Sequence, residues 1–186
     1  MNIAVDAMGG DNAPLEVVKG AINAALEYRD LKITLVGDEA KIRDISRDLG
    51  VIMPNNIEIV HSNSEVTMED DPMIVMKEKK DSSMAMGLKL LKEESVDAFI
   101  SAGNTGALHT ASTLIVRKMK GVRRSAIAAI LPFDPPVLLL DSGANPVVTA
   151  DLLLQWAIIG SAYMKNVFGV ENPRVALVNI GTEEEK

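Results

Sequence analysis

The stretch of this sequence best suited to chemistry is Ser101 to Ala107, which reads SAGNTGA. It follows Val96 to Ile100, an apolar segment that predicts a buried strand, and precedes a helical pattern over Leu108 to Lys118. The N–H groups at a helix start have no partner within the helix, so they attract anions. We therefore expect an anion-binding turn, in which Asn104 and Thr105 cap the helix or contact the ligand.

Four other loops have a similar character, because glycine, serine, asparagine or lysine follows an apolar segment or precedes a helix. They span residues 6–11, 79–83, 141–145 and 179–181. The first has paired glycines but lacks the G-x-G-x-x-G pattern, and its flanking acids would repel a dinucleotide pyrophosphate. The candidate phosphate- and substrate-binding residues of the five loops are Asp6, Gly9, Gly10, Asp11, Lys80, Ser82, Ser83, Ser101, Gly103, Thr105, Gly106, Gly143, Asn179 and Gly181.

Predicted strands alternate with predicted helices along the chain, and several of the strands are apolar throughout. This pattern is typical of a parallel sheet that helices cover on both faces. Ligands of such sheets bind beyond the carboxyl ends of the strands, so the five loops should gather at one edge. The strands are expected at residues 2–6, 32–36, 57–60, 96–100, 125–131, 137–140 and 174–179, and the helices at 14–26, 39–49, 83–93, 108–118 and 149–168, with a helical turn at 72–79.

Composition excludes several classes of function. The 186 residues carry a formal net charge of -7 and 3% aromatic residues, which disfavours nucleic-acid binding. The chain has no cysteine, hence no disulfide, thiolate metal site or cysteine nucleophile. Neither His61 nor His109 has neighbours at metal-ligand spacing, so we predict no metal and no cofactor. With no apolar stretch long enough to span a membrane, we expect a cytoplasmic protein.

One segment departs from the acidic balance of the chain. Residues 117–124 hold five cations in eight positions, namely Arg117, Lys118, Lys120, Arg123 and Arg124. A solvated turn after a helix C-terminus accounts for them in part, because cations are favoured there. The alternative is a docking surface for an acidic partner protein.

Taken together, the motifs resemble the bacterial acyl-ACP:phosphate acyltransferases, the PlsX family. The resemblance covers the whole chain and rests on five motifs in the family's order. They are DAMGGD at 6–11, KDSSM at 80–84, SAGNTGAL at 101–108, DxGAN at 141–145, and NPRV at 172–175 with NIG at 179–181.

The resemblance implies a Rossmann-like, three-layer α/β/α fold with a mainly parallel sheet, related to phosphotransacetylase and isopropylmalate dehydrogenase-type enzymes. It implies that long-chain acyl groups on acyl carrier protein (acyl-ACP) and inorganic phosphate are the substrates, and that acyl phosphate and free ACP are the products. A membrane glycerol-3-phosphate acyltransferase then uses the acyl phosphate in phospholipid synthesis. It also implies a homodimer and peripheral membrane association. Family members continue past residue 186, so we expect one incomplete α/β domain over 1–186.

In that reaction, phosphate attacks the thioester carbonyl directly. Helix N-termini with Lys80 or Lys186 would hold phosphate, and an amide of Asn104, Asn145 or Asn179 would stabilise the oxyanion. The predicted catalytic residues are Asn104, Asn145 and Lys186. Two alternatives stay open: a phosphotransacetylase-like enzyme that uses acyl-CoA, and an inactive fragment that binds ACP.

Overall fold

The structure is a computed structural model that describes residues 1–178. It divides the chain into two compact units, of which the first is Met1–Arg117 and the second begins at Lys118. Each unit is described by itself below. The expectation of a single incomplete domain stays a prediction.

The first unit is built on a four-stranded parallel sheet with the strand order β3-β2-β1-β4. In register, Ala4 of the first strand lies opposite Thr34 on one side and Phe99 on the other. The strands are β1 (Asn2–Asp6), β2 (Lys32–Gly37), β3 (Ile57–His61) and β4 (Ala98–Ile100).

Helices cover both faces of this sheet, which gives the predicted three-layer α/β arrangement. On one face, α1 and α2 bury Val18, Ile22 and Ile42 against Ile33 and Leu35. On the other face, α4 packs its apolar side chains over the centre of the sheet. The helices of the unit are α1 (Leu15–Glu27), α2 (Glu39–Asp48), α3 (Ile74–Lys77), α4 (Ser83–Lys92) and α5 (Thr105–Ala111), followed by a π-helical segment (Ser112–Val116).

The ends of α2 show why the sequence folds locally as predicted. The Asp38 carboxylate accepts the N–H groups of Ala40 and Lys41, which caps the first turn. At the other end, Gly50 takes a φ of +66°, a left-handed conformation that stops the helix at low cost.

The helix after the opening loop differs from its prediction at both ends. It begins at Thr105 rather than Leu108, because Asn104 accepts the N–H of Ala107 and caps the helix three residues earlier. It ends at Val116 as a π-helical segment, and Arg117 follows with a φ of +76°. The predicted continuation to Lys118 is therefore wrong.

The second unit contains two strands and one long helix: β5 (Ala128–Leu131), β6 (Val137–Leu140) and α6 (Ala150–Phe168). The two strands pair with each other in an antiparallel sheet of their own. The five residues between them, 132–136, allow a hairpin but are too few for the crossover that parallel pairing needs.

Smaller corrections concern the borders of the second unit. The fifth strand begins at Ala128, not Ser125. Thr149 precedes α6, but its side chain makes no capping hydrogen bond. Residues 174–178 form no strand, and residue 179 of that predicted strand lies outside the described part of the chain. Within residues 1–178, no helix has the length and apolar character needed to cross a membrane.

Two helical glycines provide a test of the packing of α4 on the sheet. A Cβ added at Gly87 would lie 2.1 Å from Cε2 of Phe99, whereas one added at Gly20 would meet no atom within 4 Å. Gly87→Ala should lower the free energy of unfolding by about 1–3 kcal/mol, because it overpacks a buried contact. Gly20 occupies an exposed position of α1. Gly20→Ala should therefore raise the free energy of unfolding by about 0.5–1 kcal/mol.

Urea denaturation of both variants measures the difference. If Gly87→Ala proved as stable as Gly20→Ala, the close packing of α4 against Phe99 would be disproved.

Candidate functional site

The strand order places a crevice at the carboxyl ends of β1 and β4. From β1 the chain moves to β2 and β3 on one side, and it returns to the other side of β1 at β4. The loops that follow β1 and β4 therefore leave the sheet in diverging directions, which is where ligands bind in open α/β sheets. Two of the predicted motifs, 6–11 and 101–107, occupy these loops.

A buried carboxylate joins the two loops. Asp6 is 2% exposed, and its Oδ2 accepts a hydrogen bond of 2.8 Å from the Ser101 hydroxyl. Its Oδ1 accepts the N–H of Met8 at 3.2 Å, and the Ser101 Oγ in turn accepts the N–H of Gly103 at 3.1 Å. The carboxylate thus organises both turns, and its two oxygens are already engaged by the protein.

Glycine is required where these loops touch. A Cβ at Gly9 would lie 2.6 Å from Oδ2 of Asp6 and 2.9 Å from Oγ of Ser101. A Cβ at Gly103 would lie 3.2 Å from Cα of Gly9, and Gly10 has a φ of +112°. The backbones of the two loops consequently pack directly against each other, at glycines that leave no room for a side chain.

Asn104 is a structural anchor in this geometry. Its Oδ1 caps α5, and its Nδ2 lies within 3.0–3.3 Å of the carbonyl oxygens of Thr67, Met68 and Asp70. At 9% exposure, the amide is buried among these partners. The side-chain amide therefore holds the 67–70 loop in place. The direct contact between Asn104 and an oxyanion stays a prediction.

The 67–70 loop is closed from its other side by an ion pair. Oδ2 of Asp70 accepts the Thr67 N–H at 2.7 Å and the Lys79 ammonium at 2.5 Å. The hydrogen bond from Lys79, followed by that from the Thr67 backbone, holds the pKa of Asp70 below its ordinary value. Lys79 is therefore tied to the loop, while Lys80 beside it is exposed.

The first turn of α4 lies against the same loops. The Ser82 hydroxyl caps the helix by accepting the Ala85 N–H at 3.3 Å, and a Cβ on Gly103 would lie 3.5 Å from Cε of Met84. Ser82 and Ser83 are both buried, and the Ser83 hydroxyl has no hydrogen-bond partner in the described structure. The start of α4 thus lies against the loop after β4.

The remaining predicted residues of the first unit lie at the surface of this edge. Asp11, Thr105 and Gly106 are exposed. A Cβ at Gly106 would lie 3.1 Å from Cγ of Pro72, so this glycine lets the 67–72 segment approach α5. Of the predicted binding residues, the structure brings together those of 6–11, 82–83 and 101–106.

The DxGAN loop, residues 141–145, belongs to the second unit and is organised by its own carboxylate. Asp141 accepts the N–H groups of Ile127, Ala144 and Asn145 and the side-chain amide of Asn145. Burial works to raise the pKa of Asp141, but these hydrogen bonds together lower it. Asn145 also donates to the carbonyl of Ser125 at 2.9 Å, and Gly143 takes a φ of +120°.

Three predicted residues, Asn179, Gly181 and Lys186, lie outside the described residues. The five cations of 117–124 are all exposed. Within residues 1–178, no group of three or more His, Asp or Glu side chains could hold a metal ion.

Two open grooves lie on the first unit. One, of about 240 Å³, is lined by residues that include Met8, Asp38 and Lys41. The other, of about 410 Å³, is lined by residues that include His61 and Lys89. Neither groove is lined by residues of the 101–107 loop.

The 67–70 loop was not among the segments that the sequence predicted for the site. The three bonds from Asn104 span 34–37 residues, a distance at which local patterns give no signal. A local signal did exist in Thr67-x-x-Asp70, since Asp side chains often accept a nearby backbone N–H in turns.

Comparison with known proteins shows which family this chain belongs to. A family model described as "Fatty acid synthesis protein" matches residues 1–186. A protein named phosphate acyltransferase from Thermoanaerobacter pseudethanolicus is 43% identical over 187 residues, covering 100% of this chain and 55% of the relative. Another of that name, from Acetivibrio thermocellus, is 47% identical over 184 residues, covering 98% of the chain and 54% of the relative. The chain spans about half the length of these relatives.

A solved structure supports the fold independently. The EutD phosphotransacetylase from Staphylococcus aureus matches with a TM-score of 0.65, covering 91% of this chain and 54% of that one. The two sequences are 23% identical, so this likeness bears on the fold alone. The predicted relation to a phosphotransacetylase fold is confirmed.

The Asp70–Lys79 pair predicts a pH dependence of stability. The pKa of Asp70 is lower in the folded state than its ordinary value. Its contribution to the free energy of unfolding is therefore fully present above the ordinary pKa, and it is lost as the pH falls through the folded-state pKa. Asp70→Asn should therefore cost about 1 kcal/mol near neutral pH, and the difference from wild type should shrink below about pH 4. Urea denaturation across this pH range measures it; a difference that stays constant would contradict the assignment.

The two functions of the Asn104 amide can be separated by substitution. Asn104→Ser keeps a capping oxygen but loses the donors to the 67–70 loop, whereas Asn104→Ala loses both. Wild type should be the most stable, the Ser variant lower by about 1–2 kcal/mol, and the Ala variant lower by about 1 kcal/mol more.

Amide hydrogen exchange should show faster opening of residues 67–71 in both variants. Asn55→Ser, an exposed position, is the control and should change neither quantity. Unaltered exchange at 67–71 would show that Asn104 does not hold the loop.

Proposed function

Since the chain belongs to the fatty acid synthesis protein family, with relatives named phosphate acyltransferase, we propose that it forms part of an acyltransferase that uses acyl-ACP. An oxygen of inorganic phosphate attacks the thioester carbonyl. The new C–O bond forms, the C–S bond breaks, and the thiolate of the carrier leaves and takes up a proton. The products are acyl phosphate and free carrier protein, and we assign the acyl phosphate to phospholipid synthesis.

The observation that carries this proposal is the hydrogen bond between Asp6 and Ser101 at the crevice between β1 and β4. It holds two glycine-containing loops in contact at the place where ligands of open α/β sheets bind. Both loops belong to motifs that resemble those of the phosphate acyltransferases. The carboxylate is buried, and each of its oxygens accepts a hydrogen bond from one of the two loops, so it fixes them relative to each other.

In this proposal, phosphate lies at the start of α4. The positive end of the helix dipole favours an anion there, although the N–H groups of Ser83 and Ala85 already donate to the Ser64 carbonyl and to the Ser82 hydroxyl. Ser82 already orders that turn, and the exposed Lys80 supplies a cation two residues before it. The neighbouring loops after β1 and β4 then shape the space for the thioester.

Positioning is the main contribution that such a site makes. Phosphate is already an oxyanion at neutral pH, so it needs no general base to become a nucleophile. Holding two reactants in line contributes several kcal/mol, roughly 7–11 in favourable cases. These 186 residues include no cysteine, so they offer no thiol for a thioester-linked enzyme intermediate. Direct attack is thus the simplest chemistry for these residues.

The catalytic roles of Asn104, Asn145 and Lys186 are part of the proposal in different ways. Asn104 acts through the 67–70 loop that it anchors. The Asn145 amide donates to Asp141 and Ser125 within its own loop, so it too orders a turn. Lys186 and Asn179 lie outside the described residues, so their roles stay predictions. The homodimer, the cytoplasmic location and the peripheral association with a membrane also stay predictions.

Acyl phosphate formation by the chain tests the proposal, with acyl-ACP and acyl-CoA compared as donors in the presence of inorganic phosphate. Ser101→Ala breaks the link to Asp6 and should lower kcat/KM by about tenfold or more, as expected when reactants are misplaced. Ser95→Ala is the control, because exposed Ser95 lies before β4 at the opposite end of the sheet.

Turnover with acyl-ACP that Ser101→Ala lowers and Ser95→Ala does not would support the proposal. Turnover with acyl-CoA but not with acyl-ACP would identify acyl-CoA as the acyl donor, and it would favour a phosphotransacetylase-like enzyme. Binding of ACP without any turnover would show that this chain is a binding module.

A further inference from the structure

The segment 118–124, named here the basic loop, is held in a defined conformation by α6. The Gln155 side chain accepts the N–H of Arg123 and donates to the carbonyl of Gly121, both at 2.9 Å. The Trp156 indole N–H donates to the carbonyl of Arg124 at 3.1 Å. Three backbone groups of the loop are thus fixed by two adjacent side chains, so the loop presents its side chains in one arrangement.

Two cations of the loop are used within it. The Arg123 guanidinium pairs with the Asp151 carboxylate at 3.1 Å, and the Lys118 ammonium donates to the Arg123 carbonyl. Lys120 and Arg124 are exposed, and neither side chain pairs with an acid among the residues that the structure describes. Lys118 keeps its charge but directs its ammonium at the loop backbone, so Lys120 and Arg124 are the cations best placed to contact a partner.

The loop also lies beside apolar side chains. Met119, between two lysines, is 74% exposed. On α6, Leu154 and Ile158 are 64% and 63% exposed, and they share a helix face with Asp151 and Gln155, which hold the loop. The first turns of α6 add the positive end of its dipole. The surface therefore combines a fixed cationic rim with an apolar strip.

We propose that the basic loop and the Leu154–Ile158 strip form the docking surface for an acidic amphipathic helix of the acyl carrier protein. The inference rests on the proposed function, which requires such a donor. In a chain of net charge -7, an acidic protein would be repelled by most of the surface, so a local cationic patch selects where it binds. Apolar residues within a charged rim are the usual composition of a protein–protein interface.

An anionic membrane is the less favoured occupant. Electrostatic membrane binding usually needs a cluster of about 4–8 unpaired Lys or Arg residues. Within 118–124 three cations lack an acidic partner in the described structure, namely Lys118, Lys120 and Arg124, and the Lys118 ammonium is engaged by the loop backbone. A single complementary protein surface suits this arrangement better than a lipid surface does.

The test is a titration of the chain with palmitoyl-loaded acyl carrier protein, comparing wild type with the double variant Lys120→Glu/Arg124→Glu. The double variant should weaken binding by about tenfold or more at low salt, and raising the salt should reduce the difference. The matched control is Arg29→Glu/Lys92→Glu, two exposed residues of the first unit that change the net charge equally. It should bind within about twofold of wild type.

Equal affinity of the two double variants for the carrier protein would overturn the docking surface while leaving the proposed acyl transfer intact. A wild-type chain that neither binds the carrier protein nor uses its acyl group would overturn both. A parallel titration with equimolar phosphatidylglycerol and phosphatidylcholine vesicles decides the alternative. Loss of vesicle binding with unchanged carrier binding in Lys120→Glu/Arg124→Glu would assign the loop to the membrane and contradict the proposal.

Discussion

The hydrogen bond between the Ser101 hydroxyl and the Asp6 carboxylate is the interaction on which the candidate site depends. It joins loops that are 95 residues apart in the chain, at the carboxyl ends of neighbouring strands. A buried carboxylate is costly unless donors satisfy it, and here the donors come from both loops. The energy of burying Asp6 is thus offset only when the two loops adopt their native arrangement, which couples the shape of the site to the fold.

A second layer of the site is built from helix caps. Ser82 caps α4, and Asn104 caps α5 while it also holds the 67–70 loop. The Asp70–Lys79 pair closes that loop toward the segment that leads into α4. The two helix starts are therefore connected through one chain of side-chain contacts. A substitution at one cap should therefore alter the structure at the other cap, even though neither cap needs to contact a reactant.

Much of this arrangement follows from local sequence, and the exceptions have physical reasons. The strands β1 and β4 and their glycine loops are encoded by neighbouring residues, so the pattern predicted them. The hairpin of β5 and β6 was misassigned to the parallel sheet although its five-residue connection carried the signal. The partners of Asn104 and Arg123 lie 28–37 residues away, and only the folded chain reveals that these side chains already have them.

The proposed phosphate site lies at the start of α4, beside the loops after β1 and β4. It can be tested by titrating inorganic phosphate into the isotopically labelled chain and following the amide chemical shifts. We expect saturable shifts concentrated in residues 7–11, 80–85 and 101–106, and smaller shifts in Ser101→Ala. Shifts confined to the basic loop, with none at these three segments, would contradict it.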